Sequence, residues 1–152
     1  MTFLNSVKAA SGAADVLLTA SALFALPALA GPDSAAGKWR IYHPQSGQPH
    51  MIVEIEAEDG VLEGHIVELE DGPKDAVCWS CAGENHNKPL AGMKIVWDAK
   101  WDGSGWSGGY LLRPATGMVS PARFDLESDN KALKMTTGRG PLRVTQRWER
   151  IE

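Results

Sequence analysis

From Lys38 to Ile151 the hydrophobic positions recur in twos. Met51, Val53 and Ile55 alternate with Ile52, Glu54 and Glu56, the period of a strand with one buried face. The same reading predicts strands over 38–43, 61–69, 93–99, 105–112, 118–127, 131–137 and 142–151. Turn chemistry separates them: Pro44-Gln45-Ser46-Gly47, Glu58-Asp59-Gly60, Asp102-Gly103-Ser104-Gly105, Pro114-Ala115-Thr116-Gly117 and Ser128-Asp129-Asn130 carry the Gly, Pro, Asn and Asp residues that reversals require. Helix is scarce. The expectation is an all-β domain of about eight strands in up-and-down antiparallel order.

The two ends of the pattern suggest that the sheet closes. Gly37-Lys38-Trp39 opens the first strand and Thr145-Gln146-Arg147-Trp148-Glu149-Arg150 closes the last. If these pair, the meander has no free edge, and its interior is either filled by side chains or fitted to one small ligand. With Trp148 inward, period-two spacing puts Gln146 and Arg150 on its side, and Arg150 can then lie over the Trp39 ring as a cation–π plug. Gly37, Trp39, Trp148 and Arg150 are therefore the expected closure residues.

The first 30 residues read differently. Lys8 supplies a positive start, residues 16–29 are mostly apolar, and Ala28-Leu29-Ala30 meets the small-x-small rule for signal cleavage before Gly31. The apolar run is shorter than the roughly 20 residues of a membrane span, and Gly31-Pro32-Asp33-Ser34 follows it directly. The expected organisation is a signal peptide over 1–30 and one domain over 31–152, exported to the periplasm or secreted, and not integral to the membrane after cleavage. That length suffices for a core without metals or many crosslinks. Loss of Lys8 and Asp15 leaves the net charge at −4. With no basic run, the electrostatic footprint of nucleic-acid binding is missing.

Residues 70–91 break the alternation with Asp, Gly, Pro, Lys, Asn and Cys, and an irregular segment of that length in a compact domain needs a task or an internal tie. Cys78-Trp79-Ser80-Cys81 offers the tie, since a close pair in an exported protein meets an oxidising compartment. A redox dithiol is the competing reading, against which stands the missing helix N-terminus that lowers a thiol pKa. A zinc site formed by Cys78, Cys81 and His86 with His65 or Glu84 is the other, and it lacks the second close ligand pair such sites use. A local disulfide is preferred, with no metal and no cofactor.

Six Trp residues are read first as core, because aromatic rings bury large areas wherever they go. Trp97, Trp101 and Trp106 flank one hairpin, and with Tyr110 they are the candidate ligand-binding residues, lining a mouth or stabilising cross-strand pairs. Catalytic patterns are absent. Gly103-Ser104-Gly105 is turn chemistry rather than a nucleophile elbow. Glu54 and Glu56 share one solvated strand face without the cleft a glycosidase needs. An enzyme is not expected.

The order Gly37-x-Trp39, Cys78-x-x-Cys81, Asn87-Lys88-Pro89-Leu90-x-Gly92, Gly108-Gly109, Pro114-x-x-Gly117 and Gln146-x-Trp148-x-Arg150 resembles the exported bacterial proteins grouped as domain of unknown function 2147. The resemblance spans essentially all of the expected mature chain and implies a lipocalin-like or calycin-like barrel. The chain departs from that pattern at Arg113, where an Asp is usual, and at Ser120, where an aromatic is usual. Two functions follow as expectations: a carrier that holds a small apolar or amphipathic molecule inside the barrel, or a non-enzymatic envelope protein with a filled barrel that acts through protein or cell-wall contacts. The size of the inward side chains discriminates between them.

Overall fold

A computed structural model describes residues 30–152; the expected signal peptide lies outside the described residues except for Ala30. Eight strands follow one another: β1 (Gly37–Tyr42), β2 (Pro49–Glu58), β3 (Val61–Leu69), β4 (Lys94–Trp101), β5 (Trp106–Arg113), β6 (Met118–Leu126), β7 (Ala132–Thr137) and β8 (Val144–Arg150). Each pairs antiparallel with the next, and β8 returns to β1 through Trp39↔Arg150 and Arg40↔Glu149, closing the barrel. The all-antiparallel, closed barrel read from the alternation is the fold.

Local chemistry sets the turns. Asp59 and Gly60 both have positive φ, 52° and 75°, the twist that a two-residue hairpin between right-twisted strands requires. The last strand starts at Val144 rather than 142, because Gly140-Pro141-Leu142 forms a single 3-10 turn and Pro141 has no N–H for a ladder.

The core lies inside the barrel, where Trp39, Val53, Ile55, Leu62, Ile66, Val96, Trp106, Phe124, Leu133, Met135 and Trp148 are all buried. The small inward residues do not open space beside them. A Cβ on Gly109 would come within 2.6 Å of the Ala99 backbone, and one on Gly64 within 2.7 Å of Ile55 Cδ1, so these glycines are filled by neighbours at interior packing density.

Chain direction divides the barrel into two ends. The start of β1, the β2–β3, β4–β5 and β6–β7 turns and the end of β8 share one; the β1–β2, β3–β4, β5–β6 and β7–β8 connections share the other.

Candidate functional site

The first end is plugged by the chain that enters β1. Ala35 is fully buried. The Trp39 indole N–H donates to Ala35 O at 3.0 Å, and the Trp106 indole N–H donates to Pro32 O at 2.9 Å. Asp33 accepts from the Gly60 amide at 3.2 Å. Arg150 ties the plug to the barrel: its guanidinium donates to Ser34 O, Ala36 O and Asn130 O at 2.7–2.8 Å and lies 4.2 Å from the Trp39 ring centroid. Burial lowers the Arg150 pKa from its ordinary value, without bringing so strong a base near neutrality. Trp148 packs edge-on against Phe124, with centroids 5.6 Å apart. Gly37 has φ of 137°, and a Cβ there would collide with Glu152 O, so this closure position requires glycine.

The four aromatic residues taken as ligand contacts form two separate pairs. Trp101 and Trp106 sit with centroids 4.8 Å apart at the plugged end, Trp106 wholly buried. Trp97 and Tyr110 stack at 5.8 Å on the face opposite that of the paired, buried Val96 and Leu111. Each is a cross-strand pair of β4 and β5, Trp97 opposite Tyr110 and Trp101 opposite Trp106, and the β4–β5 hairpin turns at the end that residues 31–36 fill, which the alternation of apolar positions does not reveal.

The second end carries the irregular segment. Residues 70–93 fold back on themselves through the Val77↔Pro89 bridge, Cys78 N–H to Lys88 O at 2.9 Å and Asn87 N–H to Cys78 O at 2.9 Å. Cys78 and Cys81 are disulfide-bonded with Cα atoms 5.4 Å apart, and both are buried. Pairing removes the thiolates a zinc site would use and burial shields the sulfurs from attack. His86 instead donates Nδ1–H to Cys81 O at 3.0 Å. The loop docks on the β5–β6 turn, Ser80 Oγ donating to Ala115 O at 3.4 Å. Because the disulfide closes only a four-residue ring, it removes little chain entropy. Replacing Cys78 and Cys81 with Ser is expected to shift the urea midpoint little and to increase proteolytic cleavage within residues 70–91. Global unfolding of that variant would show that the loop holds the barrel together.

Inside the barrel near this end the side chains change character. Ile41 faces Met51, Leu111 faces Ser120, and Thr137 is paired with both Ala122 and Val144. Gln146 spans the level below, its Nε2 donating to Tyr42 O at 2.9 Å. Thr137 is 3% exposed, and its hydroxyl is the one buried side-chain polar atom without a hydrogen-bond partner among the described residues. Sequence reasoning passed over it, since a Thr at an inward strand position is ordinary until its neighbours prove to be Ala122 and Val144.

On the outside, Asp102 is the most perturbed carboxylate. Arg123 and the N–H groups of Ser104 and Gly105 donate to it and hold its pKa far below the usual range, stabilising the β4–β5 turn.

Residues 37–150 match the family model described as "Uncharacterized protein conserved in bacteria (DUF2147)". Among solved structures the chain is similar to one described as "Protein HP1028 from the human pathogen Helicobacter pylori belongs to the lipocalin family", with a TM-score of 0.68 and 18% identity over 78% of this chain and 83% of that one. At that identity the likeness concerns the fold. No curated protein matches the chain. With an eight-stranded closed barrel and a family match across all eight strands, this chain belongs to the DUF2147 family.

Proposed function

We propose that the protein is an exported, non-enzymatic carrier that receives a small amphipathic molecule at the open end of its barrel. The unpartnered Thr137 hydroxyl carries this reading. A buried hydroxyl without a partner costs about 1–3 kcal/mol, and such orphans call for a water or a ligand atom to complete them. The surroundings suit the rest of such a molecule. Ile41, Met51 and Leu111 are apolar and buried below the opening, while Met118 and Val144, on the inward alternation of their strands, are 55% and 49% exposed at its rim. The lipocalin-like fold supports the same class of function by analogy. The lower barrel takes no part, being closed by Trp39, Trp106, Trp148 and the plug. Export rests on the signal-like residues 1–30, and the contacts of Pro32 to Ala36 support a domain that begins near Gly31.

Native mass spectrometry of the protein purified from periplasm, with and without denaturation, tests the proposal, followed by titration with a fluorescent fatty acid. A denaturable small-molecule mass, or saturable uptake of the probe, is expected. Thr137→Val, which removes the orphan hydroxyl at nearly constant shape, should weaken probe binding about tenfold and raise the stability of the empty protein by about 1 kcal/mol. A bare polypeptide that takes up no probe would favour the filled barrel acting through its surface, a reading that the close packing of Gly64 and Gly109 supports.

A further inference from the structure

The outer face of β6, β7 and β8 carries an open groove of about 500 Å³ lined by Pro121, Arg123, Asp125, Lys134, Arg139 and Arg143, a volume in the range of small-molecule sites. Two of its charges are spent within the fold. Arg123 binds Asp125 at 2.8 Å and Asp102 at 2.5 Å. Lys134, Arg139 and Arg143 are exposed and form no ion pair among the described residues, although the chain as a whole carries a net charge of −4 and most of its basic strand residues do have acidic partners. Asp125 stands opposite Lys134 across the strands but is already paired with Arg123, so these three cations give the groove a net positive charge that attracts anions.

Large apolar side chains are exposed at the same end of the barrel as the β7–β8 loop. Leu142, between Arg139 and Arg143 in sequence, is 80% exposed; Val119 is 50% exposed, and Trp79 on the disulfide loop is 74% exposed. Ala122 pairs with Thr137, so residues 118–121 project past the end of β7 and lie alongside the β7–β8 loop. The tips are held rather than loose. Trp79 is fixed between Cys78 and Cys81 against the β5–β6 turn, and Leu142 sits in a 3-10 turn. Such side chains gain nothing by facing water. Apolar tips interleaved with unpaired Lys and Arg are the combination that binds anionic lipid surfaces, the tips entering the headgroup boundary and the cations meeting the phosphates.

We propose that the open end of the barrel, at the β6–β8 side, docks on an anionic lipid bilayer, with Leu142, Val119 and Trp79 in the interface and lipid phosphates in the groove of Lys134, Arg139 and Arg143. Docking does not depend on whether the barrel holds a ligand, and the two readings fail separately: Thr137→Val alters uptake and leaves docking unchanged.

Co-sedimentation of the protein with vesicles tests it, using equal parts phosphatidylglycerol and phosphatidylethanolamine against phosphatidylcholine alone, at low and high salt. Binding to the anionic vesicles only, lost when salt rises from ~50 to ~500 mM because the Debye length shrinks severalfold, is expected. Arg139→Glu with Arg143→Glu should weaken binding by tenfold or more, following the contribution of each basic residue at an anionic surface. Leu142→Ser should weaken it about threefold or more. All three positions are exposed, so circular dichroism should show the fold intact, and Lys100→Glu, exposed on β4 beside the β4–β5 turn at the plugged end, should bind as the parent does. Equal binding to neutral vesicles, or full binding by the Arg139/Arg143 variant, would overturn the proposal. So would calorimetric binding of inorganic phosphate in the absence of vesicle binding, which would make the groove a site for a free anion.

Discussion

Trp39→Ala should lower stability by about 3–5 kcal/mol, a third or more of what a domain of this size commonly possesses. The indole is completely buried, and three kinds of contact converge on it. Its N–H is the donor that holds Ala35 O, its ring face carries the Arg150 guanidinium, and its position in β1 is a pairing site with β8. Truncation leaves a cavity of indole size at the barrel seam and also removes the donor to Ala35 O, leaving the bonds from Arg150 to Ser34 O and Ala36 O to hold this stretch. Urea unfolding followed by far-ultraviolet circular dichroism measures the effect. The midpoint should fall by roughly 1.5 M or more, given slopes of a few kcal/mol per molar for small domains. Trp79→Ala is the natural comparison, because that ring is largely exposed and its loss should leave the midpoint nearly unchanged. Similar midpoints for Trp39→Ala and the parent would mean that the seam is held by the backbone ladder alone.

The contrast between these two Trp residues shows where sequence reading carries and where it stops. Alternation distinguishes strand from helix because side chains point to opposite faces with period two, and eight such runs joined by short turns leave few arrangements other than a closed meander. Asp59-Gly60 was legible for the same local reason, as positive φ at two successive residues selects a narrow set of residue types. Alternation also puts Gln146, Trp148 and Arg150 on one face without any knowledge of the fold. It cannot say which end of a barrel is filled. That depends on where residues 31–36 go after leaving the strand pattern, and they go under the barrel, against Trp39 and Trp106. Trp101 and Trp106 thereby belong to the plugged end, and the other end falls to residues such as Met118, Thr137 and Val144, none of which stands out by type. The groove cations were invisible for a related reason. Lys134, Arg139 and Arg143 are unremarkable singly, and only the side-chain geometry reveals that Arg123 has taken the nearby carboxylates.

Arg150→Met should cost about 2–4 kcal/mol, less than removing Trp39 but more than an ordinary partly buried arginine. A guanidinium that serves three carbonyls cannot be replaced by its apolar stem. Ser34 O, Ala36 O and Asn130 O would lose charge-assisted donors individually worth about 1.5–3 kcal/mol, with strong non-additivity because one group supplies them all. Methionine retains much of the packing over the Trp39 ring, so the measured loss reports mainly the donors. Arg150→Lys should rescue little: an ammonium presents its three protons from a single atom and cannot reach carbonyls in the plug and in the β6–β7 turn together. The contribution should also be independent of pH through the neutral range. Burial lowers the Arg150 pKa, so the unfolded state binds more protons only in the strongly alkaline range between the two values; stability would rise with pH there, and none of that range reaches neutrality for a guanidinium. Hydrogen exchange gives the sharper test. In Arg150→Met the amides of Ser34 and Ala36, now bonded to Gly31 O and Asp33 O, should exchange much faster, while those in the middle of β2 and β3 keep their protection. Uniform loss of protection across the barrel would make the plug and the barrel one cooperative unit. Unchanged exchange at Ser34 and Ala36 would show that Trp39 and Trp106 hold the plug unaided.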